Sequence, residues 1–189
     1  LNVSPDHMDR YSSLKDYVNT KKRIYSGQGL MVLNKDEEYI HSIIDSKRDT
    51  IYFSLGAPEG ENFGLINHNN EVWLSQGNEK IINKNQLKIK GEHNISNALA
   101  AMALAGAVNV PTNIMADVLK NFTGLEHRCQ LVREIDNVSW YNDSKATNVG
   151  ACIASITALC ELGNIILIAG GDSKGADLSS LNPIVKKYI

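Results

Sequence analysis

The sequence predicts an α/β protein built of two parts. Residues 138 to 178 alternate between short apolar runs and helical patterns, which is typical of a parallel, doubly wound sheet. Residues 51 to 90 hold short β-favouring segments separated by Gly, Asn and Pro, which indicates strands joined by turns. With 189 residues, 43% of them hydrophobic, the chain is long enough to bury a core.

The first part is predicted to begin with a helix and a buried strand. Apolar residues from Leu14 to Tyr25 recur at roughly helical spacing, and the run Leu30 to Leu33 ends at a polar turn. The elements expected after it are antiparallel strands at 51–53, 71–74 and 87–89 and helices over 94–108 and 111–121. Phe122 to Leu125 breaks the pattern, so we expect a domain boundary near residue 124.

In the second part, strands and helices alternate. The predicted elements are a strand over 138–142, a helix over 148–162, a strand over 165–169 and the start of a helix near Leu178. Ligand-binding loops of such a sheet follow the carboxyl ends of its strands.

Charge and cysteine content exclude several classes of protein. Nineteen basic and 21 acidic residues give a net charge of -2, and no long Lys/Arg block occurs, so neither nucleic acid nor membrane is an expected partner. The three cysteines form no CxxC pair, and an odd number argues against a disulfide framework. No apolar stretch is long enough to span a bilayer and no signal peptide is visible, so we expect a cytoplasmic protein.

Two polar loops lie where such a sheet would bind a ligand. One covers 142–148, and the other covers 170–177 at the start of a predicted helix. Their lysines, Lys145 and Lys174, could converge on one carboxylate ligand, although two solvated turns would have the same composition. The glycines of the second loop do not fit GxGxxG, so a nicotinamide site is not expected.

Several segments carry a resemblance to a known family. Residues 91–101, GEHNISNALAA, resemble the GxHNxxNxxAA segment of the Mur ligase family, the amino-acid-adding ligases of peptidoglycan synthesis, and of their folate-polyglutamating relatives. The loop NDSKATN at 142–148 is similar to that of the members that add D-glutamate. Further segments that match those members in order are 6–11, 21–25, 122–128 and 170–177.

The resemblance implies both a fold and an activity. It implies the later part of a P-loop-type central ATPase domain over 1–124, followed by the first part of a Rossmann-like, amino-acid-binding C-terminal domain over 125–189. The implied reaction uses ATP and Mg2+ to add D-glutamate to UDP-N-acetylmuramoyl-L-alanine through an acyl phosphate, in cytoplasmic cell-wall synthesis by a monomeric enzyme. No GxxxxGK[ST] loop occurs, so the chain looks like a piece cut from a longer protein and is expected to be inactive alone.

Roles for individual residues follow from their positions in the matching motifs. His7 would hold Mg2+, and Lys21 would be carbamylated and face the metal, with Lys22 as its rival. A lysine amine must be neutral to react with carbon dioxide, so partial burial or nearby cations are expected at Lys21. The expected catalytic residues are His7, Lys21, Lys145 and Arg128.

The remaining assignments concern the nucleotide and the amino acid. Asn94 and Asn97 would contact adenine, although helix capping is an open alternative for Asn94. Arg128 would bind the ATP phosphates with His127 in a supporting role, and Asp143 would accept hydrogen bonds from the ribose hydroxyls. The residues expected to bind D-glutamate are Lys145, Thr147 and Lys174, with Asp172 orienting a neighbour or a water.

Two other functions remain open at this point. Another ligase of the same family, such as a folylpolyglutamate synthase-like enzyme, would prefer a different amino acid. A non-catalytic nucleotide-binding module would bind nucleotide without turnover.

Overall fold

The computed structural model describes residues 2–3, 10–42, 47–160, 163–172 and 177–189. The first part contains a five-stranded sheet in the order β1-β2-β3-β4-β5. Its strands are β1 (Met31–Asn34), β2 (Thr50–Phe53), β3 (Phe63–His68), β4 (Glu71–Gln76) and β5 (Glu79–Asn83). The pairs β1–β2 and β2–β3 are parallel, whereas β3–β4 and β4–β5 are antiparallel.

Two-residue turns fix the register of the antiparallel strands. Asn69 and Asn70 both have positive φ, at 51° and 63°, and join β3 to β4. Asparagine tolerates this left-handed backbone, which matches the twist of a tight hairpin. Gly77, at φ 49°, opens the turn between β4 and β5.

Three helices belong to the first part: α1 (Leu14–Lys22), α2 (Glu92–Gly106) and α3 (Thr112–Asn121). The main core lies between the sheet and the pair α2 and α3. Leu99 of α2 and Leu74 of β4 are fully buried, and Phe63 is 1% exposed. The Ala-rich face of α2 lets the helix lie close to the strands, so the start of α2 is held firmly by packing.

The second part contains a hairpin and two further helices. Its elements are β6 (Gln130–Ile135), β7 (Val138–Asn142), α4 (Val149–Leu159) and α5 (Asn182–Tyr188). β6 and β7 pair antiparallel through a turn at Asp136 and Asn137, whose φ angles are 51° and 63°. The side chain of Asn148 caps α4 by accepting a hydrogen bond from the Ala151 amide at 2.8 Å.

The α/β class is confirmed, but three details of the predicted sheet are wrong. β2 is parallel to both of its neighbours, so the 51–90 region is not wholly antiparallel. Residues 87–89 form no strand, because β5 supplies the last pairing edge and a 3-10 helix follows it over Lys84–Gln86.

The third error is the strand predicted over 165–169. These residues form no strand, and Ile166 and Ile168 are 89% and 84% exposed. β7 is paired with β6, and among the described residues of the second part no parallel partner completes a doubly wound sheet. A strand is stable only when a neighbour satisfies its backbone groups, so the apolar run has no ladder to join here.

In the described part of the chain, no helix combines the length and apolar character that crossing a bilayer requires.

Candidate functional site

Hydrogen bonds join the loop around Arg128 to the loop at 142–148. The Lys145 amide donates to the His127 carbonyl at 3.1 Å, and the Cys129 amide donates to Asp143 Oδ1 at 2.9 Å. Asn142 Nδ2 lies 3.0 Å from His127 Nδ1. Arg128, Asp143 and Lys145 therefore sit on two loops that are held together as one unit.

The carboxylate of Asp143 lies at the centre of this unit. Its second oxygen, Oδ2, accepts a short hydrogen bond from the Ser155 hydroxyl of α4. Burial raises the pKa of the Cys129 and Cys152 thiols, and the negative charge of Asp143 raises them further. Both thiols are therefore held in their neutral form and are poor nucleophiles, which agrees with structural roles for these cysteines.

The start of α2 touches the same region. Gly91 precedes α2 with φ 91° and ψ 150°, and a Cβ built on it would lie 2.7 Å from the Ala158 Cβ of α4. His93, half-buried in the first turn, has its pKa lowered by burial, while the charge of Asp143 acts in the opposite direction. The start of α2, the helix that contains Asn94 and Asn97, therefore lies near the loop that holds Asp143.

Asn94 and Asn97 are linked on one face of α2. Asn97 Nδ2 donates to Asn94 Oδ1 at 3.4 Å, and Asn94 Nδ2 donates to the Lys90 carbonyl at 2.7 Å. The N-cap of α2 is Gly91, with no side-chain cap, so Asn94 does not cap the helix. Its amide instead binds the carbonyl of Lys90, the residue before the N-cap, and the exposed Asn97 amide lies beside it.

The other candidates differ in how the structure places them. Arg128, Lys145 and Thr147 are exposed and accessible to a ligand, and Asp172 is also exposed. His7 and Lys174 lie outside the described residues, so their predicted roles have no structural counterpart here.

Lys21 is not buried, contrary to one of the two conditions expected for it. Its side chain is exposed, and Nζ lies 5.2 Å from the centre of the Tyr17 ring, one helical turn earlier on α1. The ring of Tyr11 packs edge-on against Tyr17 at 5.1 Å. Among the described residues, no hydrogen bond or ion pair joins Lys21 to the Asp143 cluster.

Comparison with known proteins identifies the family. The Mur ligase middle domain matches residues 1–105, which is more than half of the chain. The chain belongs to the Mur ligase family.

Curated relatives within the Mur ligase family match the whole chain. A protein named "UDP-N-acetylmuramoylalanine--D-glutamate ligase" from Nitrosococcus oceani is 46% identical over 99% of the chain. A protein of the same name from Methylococcus capsulatus is 45% identical over 100% of the chain. The chain spans 42% and 41% of the lengths of these relatives.

Solved Mur ligase structures share the fold at low sequence identity. MurF from Acinetobacter baumannii matches with a TM-score of 0.70 and 18% identity, over 87% of this chain and 37% of that one. The UDP-N-acetylmuramate-alanine ligase MurC from Thermotoga maritima matches with a TM-score of 0.62 and 20% identity, over 85% of this chain and 37% of that one. These likenesses confirm the Mur ligase fold.

Two exposed side chains of this region carry donor groups of the kinds that bind nucleotides. Exposed Arg128 offers a planar guanidinium for phosphate, and Asn97 offers an amide for a base edge. Within the described ranges, no group of three or more His, Cys, Asp or Glu side chains could hold a metal ion.

Sequence reasoning missed three residues that contact or adjoin candidate side chains of this Mur ligase chain. His93 lies inside the GEHN motif, beside Asn94, and its position in that motif could have identified it as a residue of the site. Tyr17 could have been found from its four-residue spacing to Lys21 on a helix. Ser155 lies in the interior of an apolar helix and carries no signal in the sequence.

Proposed function

We propose that the chain is part of an ATP-dependent ligase that adds D-glutamate to UDP-N-acetylmuramoyl-L-alanine through an acyl phosphate. The observation that carries this proposal is the 45–46% identity, over 99–100% of the chain, to relatives that bear the name of that ligase. The hydrogen-bonded unit that holds Arg128, Asp143 and Lys145 supports it. This reaction needs a cationic side chain that binds phosphate close to the site that binds the amino acid. The enzyme would act in the cytoplasm on small-molecule substrates, as a monomer.

The proposed domain boundary lies after Gly124. Residues 1–124 would be the later part of the central ATP-binding domain, and 125–189 the first part of the C-terminal, amino-acid-binding domain. The change from the five-stranded sheet to the hairpin of β6 and β7 supports this division. Residues 122–125 lie outside helices and strands, and Gly124 has φ 96°.

In the nucleotide site, Asn94 and Asn97 would contact adenine, Arg128 the phosphates and Asp143 the ribose. The exposed guanidinium of Arg128 can form paired hydrogen bonds to phosphate oxygens and stabilise the charge that develops as the phosphoryl group transfers. His127 supports it by fixing the loop through its backbone carbonyl and its ring.

In the amino-acid site, Lys145, Thr147 and Lys174 would bind D-glutamate, and Asp172 would orient a neighbouring group. Lys145 and Thr147 are exposed on a loop whose backbone is already fixed, since the Thr147 amide donates to the Lys145 carbonyl at 2.9 Å. Two cationic side chains match the two carboxylates of the amino acid.

His7 and carbamylated Lys21 would hold Mg2+, which neutralises phosphate charge when it is bound. The exposed side chain of Lys21 is accessible to carbon dioxide, although it lacks the burial that would favour a neutral amine. The amine of Lys21 lies over the ring of Tyr17, 5.2 Å from its centre.

The test is phosphate release by the full-length protein that contains this chain. ATP, Mg2+ and UDP-N-acetylmuramoyl-L-alanine are supplied with D-glutamate, L-glutamate, L-lysine or diaminopimelate in turn. We expect release with D-glutamate alone, none from the 189-residue chain, and loss of release in a Lys145→Ala variant. Lys120→Ala, which removes an exposed lysine at the end of α3, is the matched control. Release with another amino acid would identify a different member of the family, and nucleotide binding without release would indicate a non-catalytic module.

A further inference from the structure

Asp143 is held from two sides by uncharged donors. The Cys129 amide donates to Oδ1 at 2.9 Å, and the Ser155 hydroxyl donates to Oδ2. Within the described ranges, no lysine or arginine forms an ion pair with Asp143. A carboxylate has about four acceptor positions, so about two remain for a ligand after these bonds. The direction of those remaining positions is set by the two donors.

The bond from Ser155 is not a by-product of helix formation. A serine inside a helix ordinarily bonds the carbonyl of the preceding turn, and it is a mediocre helix former. Ser155 instead reaches a carboxylate 12 residues earlier in the chain, from a half-buried position on α4. Hydrogen bonds to an ionised acceptor are stronger than neutral ones, so this contact is well suited to fix a side-chain torsion.

The helix that carries Ser155 is itself fixed in position. Asn148 caps its first turn, and Ala158, one turn beyond Ser155, lies against Gly91 at the start of α2. The position of Ser155 is thus fixed relative to the 142–148 loop and relative to α2, the helix that contains Asn94. A displacement of the Ser155 hydroxyl would move the Asp143 carboxylate relative to the side-chain amides of Asn94 and Asn97.

We infer that Ser155 is a positioning residue, which orients Asp143 so that its free acceptor positions meet the ribose hydroxyls of the nucleotide. This inference rests on the proposed function for the use of a nucleotide, but not for the identity of the amino acid. Ser155 acts through Asp143 and need not touch the ligand. Removal of the Ser155 hydroxyl should therefore weaken the binding only of nucleotides that carry the ribose hydroxyls.

The experiment measures binding of ATP and of 2′,3′-dideoxy-ATP to the full-length protein by calorimetry. Loss of a hydrogen bond that orients a charged acceptor should raise the Kd for ATP about 5- to 10-fold in Ser155→Ala. The Kd for dideoxy-ATP should stay unchanged, and Ser155→Thr, which keeps the hydroxyl, should bind ATP like the parent. In steady-state assays the KM for ATP should rise while kcat stays close to that of the parent.

Two further variants act as controls. Ser139→Ala removes another serine-to-carboxylate bond, 2.8 Å from Ser139 Oγ to Glu134 Oε1 on the hairpin of β6 and β7, and should change neither Kd. If Ser155→Ala lowers the folded fraction, Ser155→Val and Ser155→Thr provide a pair matched in shape that differs in the hydroxyl alone.

Equal weakening of both nucleotides, or no weakening of either, would overturn the inference. If the protein binds ATP with the expected discrimination but releases no phosphate with D-glutamate, the proposed reaction fails while the role of Ser155 stands. If the parent protein binds no ATP, both fail.

Discussion

Replacing Gly91 with alanine is expected to destabilise the chain at the contact between α2 and α4. Gly91 has φ 91° and ψ 150°, a backbone conformation that is open essentially to glycine alone. A new Cβ would lie 2.7 Å from Ala158 Cβ and 2.8 Å from His93 Cε1. The ring of His93 can rotate away, whereas the methyl group of Ala158 moves only if α4 shifts.

The expected magnitude follows from these two effects. Holding an alanine in a glycine-only region costs about 1–3 kcal/mol. Overpacking against a fixed methyl group costs about another 1–3 kcal/mol. Together they predict that Gly91→Ala lowers the free energy of unfolding by about 2–6 kcal/mol, unless α4 moves to relieve the contact.

Urea unfolding separates the two contributions. Ala158→Gly removes the methyl group that the new side chain meets, so the double variant Gly91→Ala/Ala158→Gly should be more stable than the two single losses added together. Gly29→Ala is the control, because nothing lies within 4 Å of its Cβ position. Trp73 lies in the first part and Trp140 in the second, so variants that keep only one tryptophan report on the two parts separately.

A loss below about 1 kcal/mol in Gly91→Ala would refute the strain argument. Strict additivity of the Gly91 and Ala158 substitutions would show instead that the two residues do not meet. The first result would mean that the backbone at Gly91 is not held in a glycine-only conformation, and the second that α2 and α4 are not in the contact described above.

Three other substitutions test the core, a turn and a titrating group. Leu99→Ala should lower the free energy of unfolding by about 2–5 kcal/mol, because Leu99 is fully buried, whereas Leu104→Ala on the same helix should change it little, because Leu104 is 58% exposed. Gly64→Ala should cost about 1–3 kcal/mol or more, since its Cβ would lie 2.9 Å from the backbone nitrogen of Pro58. Burial holds the pKa of His93 below its ordinary value of 6.5, so the unfolded chain binds the proton more tightly. Stability should therefore be complete above pH 6.5 and decrease as the pH falls through the folded-state pKa, and His93→Gln should remove that part of the slope.

All three are measured by urea unfolding, the last at several pH values. Equal losses for Leu99→Ala and Leu104→Ala would contradict the packing of α2 on the sheet. A Gly64→Ala variant as stable as Gly29→Ala would show that the loop before β3 is not tightly packed. An unchanged pH slope in His93→Gln would show that His93 titrates alike in both states.

Local patterns in the sequence predicted the helices well, because each depends on residues close together in the chain. α2 and α3 were expected from Ala and Leu content and from a proline near the start of the second helix, and both occur within two residues of the expected bounds. β1, β2 and β7 were also expected, since apolar runs bounded by turn residues mark buried or paired strands.

Strand pairing could not be predicted in the same way. The run 165–169 has the composition of a buried strand, but composition does not say whether a neighbour is present to pair with it. The sequence patterns did not predict β3, β5 or β6. β6 escaped prediction although Asp136 and Asn137 form a recognisable two-residue turn. The candidate site shows the same limit: the motif positions of Arg128 and Asp143 were read from the sequence, whereas the contact with Ser155 depends on how α4 packs.

The connections in the five-stranded sheet also bias the order in which it can assemble. β3, β4 and β5 are joined by two-residue turns, so their contacts close over short stretches of chain. The parallel pair β1 and β2 brings together residues that are 19 positions apart, such as Met31 and Thr50, and a hairpin turn cannot join parallel strands. Closing a longer loop costs more conformational entropy and forms contacts more slowly. The hairpin strands are therefore the natural nucleus, and β1 and β2 add to a sheet edge that already exists.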